Sequence, residues 1–120
     1  MSCDLVTIGC VCADVKAQPV DTLPERGTLG LVPSLDMTMG GLAGVTAAVF
    51  SKLGGKAAYT GCLGNDAFGD FLIQSFEKAH VDTTGIRRVD GHNSAATVVL
   101  IGSDGERTFL HNVGTVGIVS

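Results

Sequence analysis

No run of lysine or arginine occurs in these 120 residues, and the formal charge is −4, from 12 acidic and 8 basic side chains. A nucleic-acid surface is therefore not expected. No apolar run approaches the ~20 residues that a membrane helix needs. The N-terminus has no basic segment leading into a long apolar stretch, so a secretory signal is not expected and a cytoplasmic location is the default. Internal repeats and low-complexity segments are lacking too. An apolar fraction of 45% excludes a disordered chain and fits one globular domain, or a piece of one.

Several chemistries lack their sequence signatures. There is no P-loop, and no Gly-x-Gly-x-x-Gly follows the first apolar run. The serines and histidines have no nucleophile elbow or triad context. Cys3, Cys10, Cys12 and Cys62 are irregularly spaced, and His80, His92 and His111 bear no ligand spacing to them. Cys10 and Cys12 could share one face of a strand, but the plain reading is buried, reduced thiols rather than a metal site.

What is present is glycine, 17 residues of it, set between apolar segments. Residues 4–10 (DLVTIGC) read as a buried parallel strand, with Asp14 just beyond its end. That is where open α/β sheets place ligand contacts, although a turn aspartate capping local amides fits as well. Residues 18–26 read as a loop. Residues 28–39 alternate, with Leu29, Leu31, Leu35, Met37 and Met39 broken by Pro33, which predicts two short strands in a separate small sheet.

Gly40-Gly41 then opens a helix whose buried face is predicted to be Val45, Ala48, Val49 and Leu53, with Gly54-Gly55 as a left-handed cap. Residues 56–62 form a strand. Asp66 is placed to N-cap a second helix over 66–80, striped by Phe68, Phe71, Leu72, Phe76 and Ala79. Brief strands follow at 86–89, 95–102 and 107–111, the last two joined by an Asp104-Gly105 hairpin turn. Lys52 and Lys56 read as solvated, His111 as a strand-edge residue, and the tail as an apolar run. The expected class is α/β, a parallel sheet flanked by helices in Rossmann-like layers. The candidate site is Asp14, Gly40-Gly41 and the Asn65-Asp66 turn.

In order along the chain, four stretches resemble the PfkB family of carbohydrate kinases, the ribokinase-like fold. The first strand runs into Gly-Cys-Val-Cys-Ala-Asp, ending at Asp14. Gly40-Gly41 opens the second stretch, with Lys52-Leu53-Gly54-Gly55 at the helix end. Residues 61–69, Gly-Cys-Leu-Gly-Asn-Asp-Ala-Phe-Gly, are similar to a Gly-x-x-Gly-x-Asp-x-x-Gly run. Residues 104–109, Asp-Gly-Glu-Arg-Thr-Phe, resemble a lid hairpin.

The resemblance implies one domain portion over 1–120, the N-terminal part of such a kinase, with lid strands at about 28–39 and 95–111. It implies ATP-dependent phosphorylation of a sugar or related alcohol, with Mg2+ neutralising charge. Asp14, Gly40, Gly41 and Val45 fall on its substrate positions. Valine stands at 45 where the family has asparagine, and Gly114-Thr115-Val116 stands where many members have Gly-Ala-Asn. The family's Gly-Ala-Gly-Asp catalytic motif and its ATP site have no match here, so catalytic and cofactor residues are expected outside this stretch. A homodimer through lid strands is a further implication. The alternatives are a sugar-binding or interaction module without catalysis, and an unrelated α/β fragment binding a nucleotide at Gly40-Gly41.

Overall fold

Val6 and Ile8 alternate with Leu5 and Thr7 in β1 (Leu5–Ile8), which runs parallel to β4 (Ala57–Gly64). The computed structural model describes residues 3–117, so the end of the expected apolar tail lies outside the described residues. β4 is central. On its other edge lies β5 (Ile86–Val89), also parallel, giving the order β1-β4-β5. Helix α1 (Leu42–Lys52) precedes β4, and α2 (Ala67–Lys78) links β4 to β5 as a β-α-β crossover. None of the described helices is long and apolar enough to cross a membrane.

A second sheet carries β2 (Cys12–Gln18), β3 (Ser34–Gly40), β6 (Ala96–Ile101) and β7 (Arg107–Asn112), in the order β3-β2-β6-β7. β2 pairs antiparallel with β3 and parallel with β6, and β6 pairs antiparallel with β7. The chain passes between the two sheets at four places: Gly9 to Val11, Gly40-Gly41, the segment before β6, and the segment after β7 that enters a short 3-10 helix (Gly114–Gly117).

Three expectations change here. The single opening strand is two. Gly9, at φ 137°, ends β1 and sends the chain into the second sheet, so Asp14 sits inside β2 rather than beyond a strand. Residues 28–39 give one strand, β3. Leu29 and Leu31 are 81% and 90% exposed, and the chain before Ser34 has no strand partner to bury them.

The third change concerns the buried face of α1, which is Gly44, Ala47 and Ala48, not the valines. A methyl group on Gly44 would press into Val11 Cγ2 and approach Met39 Sδ, so the helix lies too close to the strands for a larger residue. Val45 and Val49 are turned out, and Leu53 is 83% exposed. The predicted helix end is as observed. Gly54 has φ 100°, its amide donates to Ser51 and that of Gly55 to Phe50, both reaching back over the last turn.

The core lies between the parallel sheet and the helices, and includes Val11, Ala13, Leu63, Leu72, Phe76 and Val81. Tyr59 stacks on Phe76 with ring centroids 4.9 Å apart. Its hydroxyl donates to the Gly9 carbonyl at 2.7 Å, tying the core to the first passage between the sheets. Burial pushes the Tyr59 phenol up to about 12.

Candidate functional site

Asp14 and Gly40 meet where β2 and β3 run together. Cys12 is paired with Gly40 and Asp14 with Thr38, so Asp14 and Gly40 fall on one face of the sheet. A side chain at Gly40 would collide with Asp14 Oδ2, so this carboxylate oxygen rests against bare backbone. Gly41 follows as the N-cap of α1 at φ 93°, and any Cβ there would run into the Cys10 carbonyl and the Val11 backbone. The Cys10 carbonyl in turn accepts from the Ala43 and Gly44 amides at 3.1 and 3.3 Å, capping the helix from the opposite strand passage. Two consecutive glycines are needed for two different clashes.

The other oxygen of Asp14 is held. Cys12 Sγ donates to Asp14 Oδ1 at 3.2 Å. Burial first, then the hydrogen bond and negative charge of Asp14, push the Cys12 thiol up to about 12, so it remains a donor. Behind it stands Thr97 Oγ1, 3.9 Å from Cys12 Sγ and 2.8 Å from His111 Nδ1. The pairings Asp14 with Thr38, Asp14 with Thr97, and Thr97 with His111 make one transverse row across all four strands. Asp14 is half-buried, Thr97 buried and His111 exposed.

Val45 is not in this group. It lines a cavity of about 350 Å3 with Met37, Met39, Val49, Lys52 and Phe71, between β3 and the two helices. Met37 and Met39 alternate with Thr38, so this is the opposite face of β3 from Asp14. The Asn65-Asp66 turn is also elsewhere. Asp66 N-caps α2 by accepting from the Gly69 amide at 2.8 Å, and also takes both the amide and the hydroxyl of Ser94 at 2.8 Å. Burial works to raise its pKa, but the Gly69 and Ser94 hydrogen bonds and the Arg88 charge outweigh it and hold the carboxyl below its ordinary value.

This explains the glycine spacing of residues 61–69. A Cβ on Gly64 would strike the His92 carbonyl, and one on Gly69 the Gly64 carbonyl. Cys12, Thr97 and His111 were missed as neighbours of Asp14. The available signals were the two-residue step from Cys12 to Asp14 and the Asp104-Gly105 turn, which fixes Thr97 opposite His111.

Chemically, the group offers a carboxylate with one oxygen fixed by a thiol and the other open beside backbone without side chains. Such an acceptor suits neutral hydroxyl groups, and bonds to an ionised acceptor are roughly twice as strong as neutral ones. Among the described residues, no three or more His, Cys, Asp or Glu side chains converge in a way that could hold a metal ion. Asp14 has a thiol and glycine beside it rather than a second carboxylate, which does not fit a magnesium site.

A helix-flanked parallel sheet, with a second sheet carrying the polar groups at its junction, defines an α/β protein of the ribokinase-like fold. An Arabidopsis thaliana ribokinase structure, complexed with ribose and ATP, superposes at a TM-score of 0.85 and 26% identity, covering 96% of this chain and 37% of that one. The model of the pfkB family of carbohydrate kinases matches residues 3–117, and the chain belongs to that family. It is 42% identical over 93 residues to a probable fructokinase-2 of Arabidopsis thaliana, covering 76% of this chain and 28% of that protein. It is 35% identical over 94 residues to an aminoimidazole riboside kinase of Salmonella typhimurium, covering 78% and 28%. The chain thus spans under a third of the length of the curated relatives it matches.

Proposed function

We propose that this chain supplies part of the sugar pocket and the lid of an ATP-dependent carbohydrate kinase. The observation that carries the proposal is the contact between Asp14 Oδ2 and the bare backbone of Gly40, with Gly41 next to it at the start of α1. Asp14 accepts hydrogen bonds from sugar hydroxyls, and Gly40 and Gly41 allow the ring to lie against main chain. The second sheet, β3-β2-β6-β7, acts as the lid that excludes water over the bound sugar.

ATP supplies the phosphoryl group and Mg2+ offsets its charge. Their binding groups, and the base that activates the sugar hydroxyl, lie outside these 120 residues, in which no Gly-Ala-Gly-Asp run occurs. Phosphoryl transfer relies on positioning and electrostatics. The part of it assigned to this chain is orientation of the sugar.

Pairing of lid strands between two copies is a compatible assembly, since Leu35, Val98 and Leu110 are exposed in that sheet. A sugar-binding module without phosphoryl transfer is the second reading. It is favoured by Val45, which turns away from Asp14 and offers no hydrogen bond.

Calorimetric titration of the chain with D-fructose, D-ribose and ATP tests the proposal. Sugar binding that is lost in Asp14→Ala, without ATP binding, is expected. A phosphorylated sugar formed by this chain alone would overturn the assignment of the transfer machinery to residues elsewhere.

A further inference from the structure

Thr97 is a buried polar residue, 7% exposed, in a strand otherwise composed of alanine, valine, leucine and isoleucine. Leaving a buried hydroxyl without a partner costs about 1–3 kcal/mol. Here the partner is His111 Nδ1 at 2.8 Å, on the neighbouring strand. His111 itself is exposed. With Nδ1 engaged by Thr97, the ring atom left for another molecule is Nε2, a donor or an acceptor according to tautomer. The imidazole is therefore oriented by a buried group and presented on the same row of the sheet as Asp14.

We propose that His111, oriented by Thr97, is a second hydroxyl-reading group of the pocket built on Asp14 and determines which sugars that pocket takes. This rests on the sugar-site reading above and extends it. Asp14 and His111 stand on β2 and β7, with β6 between them. Two strand spacings are roughly 10 Å. A ligand touching both residues presents hydroxyl groups at opposite ends, as a ketohexose does, and a short alcohol cannot meet them together. Asp14 accepts, while His111 Nε2 offers a second polar atom, so the favoured ligand is a polyol. Thr97 is a positioning residue, because it reaches the ligand only through the imidazole.

The test is titration of the full chain with D-fructose, followed by calorimetry and by amide NMR shifts, which also report whether each variant is folded. His111→Ala and Thr97→Val are expected to weaken binding about fivefold, the size of one ordinary hydrogen bond. Thr97→Ser, which keeps the hydroxyl, should restore the affinity, and Glu77→Ala, on the exposed side of α2, should leave it unchanged. Unaltered affinity in both His111→Ala and Thr97→Val overturns the inference while leaving the Asp14 pocket standing. Equal losses in Thr97→Ser and Thr97→Val would mean that packing, not orientation of the ring, is at work, and would also overturn it. Absence of fructose binding by the unmodified chain defeats both this inference and the sugar-site reading.

Discussion

The Asp66 carboxylate receives both the amide and the hydroxyl of Ser94, each at 2.8 Å and 28 residues further along the chain. One side chain thus caps α2 and fastens the segment that leads into β6. Asp66→Ala removes the cap and leaves the Ser94 groups unpaired. We expect a loss of about 2–3 kcal/mol of stability, measured by chemical denaturation.

The same carboxyl makes stability depend on acid. Its folded-state pKa lies below the ordinary 3.8. Its contribution is therefore complete above that value and is lost as pH falls through the depressed folded value. Asp66→Asn should be less stable at neutral pH and should show a flatter decline below pH 3.8 in a series of thermal melts.

The two glycines before α1 should fail differently. Gly40→Ala drives a methyl group against Asp14 and should reduce sugar affinity more than tenfold while the fold persists. Gly41→Ala has to hold φ near 93° and also meets the Cys10 carbonyl. It should destabilise the chain by about 1–3 kcal/mol. Parallel melting and sugar titration separate the two effects, and equal melting temperatures would contradict the argument.

Cys12 should be alkylated last of the cysteines in the native chain. Its thiol is pushed up to about 12 and buried, and the thiolate is the reactive form. Timed iodoacetamide labelling at pH 8, read by mass spectrometry, checks this. As pH rises from the ordinary 9.0 toward about 12, the unfolded chain sheds this proton and the folded chain does not, so stability falls across that window.

Val45→Asn introduces the residue type that the family resemblance implies at this position, but on the far side of β3 from Asp14. Sugar affinity should not rise, and stability should change by less than about 0.5 kcal/mol, as for other half-exposed sites. A clear gain in affinity would place position 45 in the pocket after all.

Much of the architecture was legible because local chemistry carried it. The cap at Gly54-Gly55, the Asp66 N-cap, the stripe of α2 and the Asp104-Gly105 hairpin each depend on residues within a few positions. What was not legible depended on contacts between distant segments. The valines of α1 have helical spacing and were expected inside, but Val11 and Met39 come so close that glycine and alanine take the inner face. β2 was hidden because CADVKAQ mixes charged and small residues, and its pairing with β3 and β6 supplies what its composition does not. The proximity of Asp14 and Gly40 was anticipated. The thiol and hydroxyl behind that carboxylate come from strand register, which composition does not reveal.

Side chains on a strand face alternate sides, and Leu110 is the immediate neighbour of His111. Inserting one residue before β7, with the turn itself unchanged, would slide β7 by one step and set Leu110 across from Thr97, with the imidazole on the reverse side. On the proposal that His111 reads the sugar, loop-length variation at a remote surface tip is a dial for ligand preference, exchanging a polar contact for an apolar one without substituting any residue of the pocket itself.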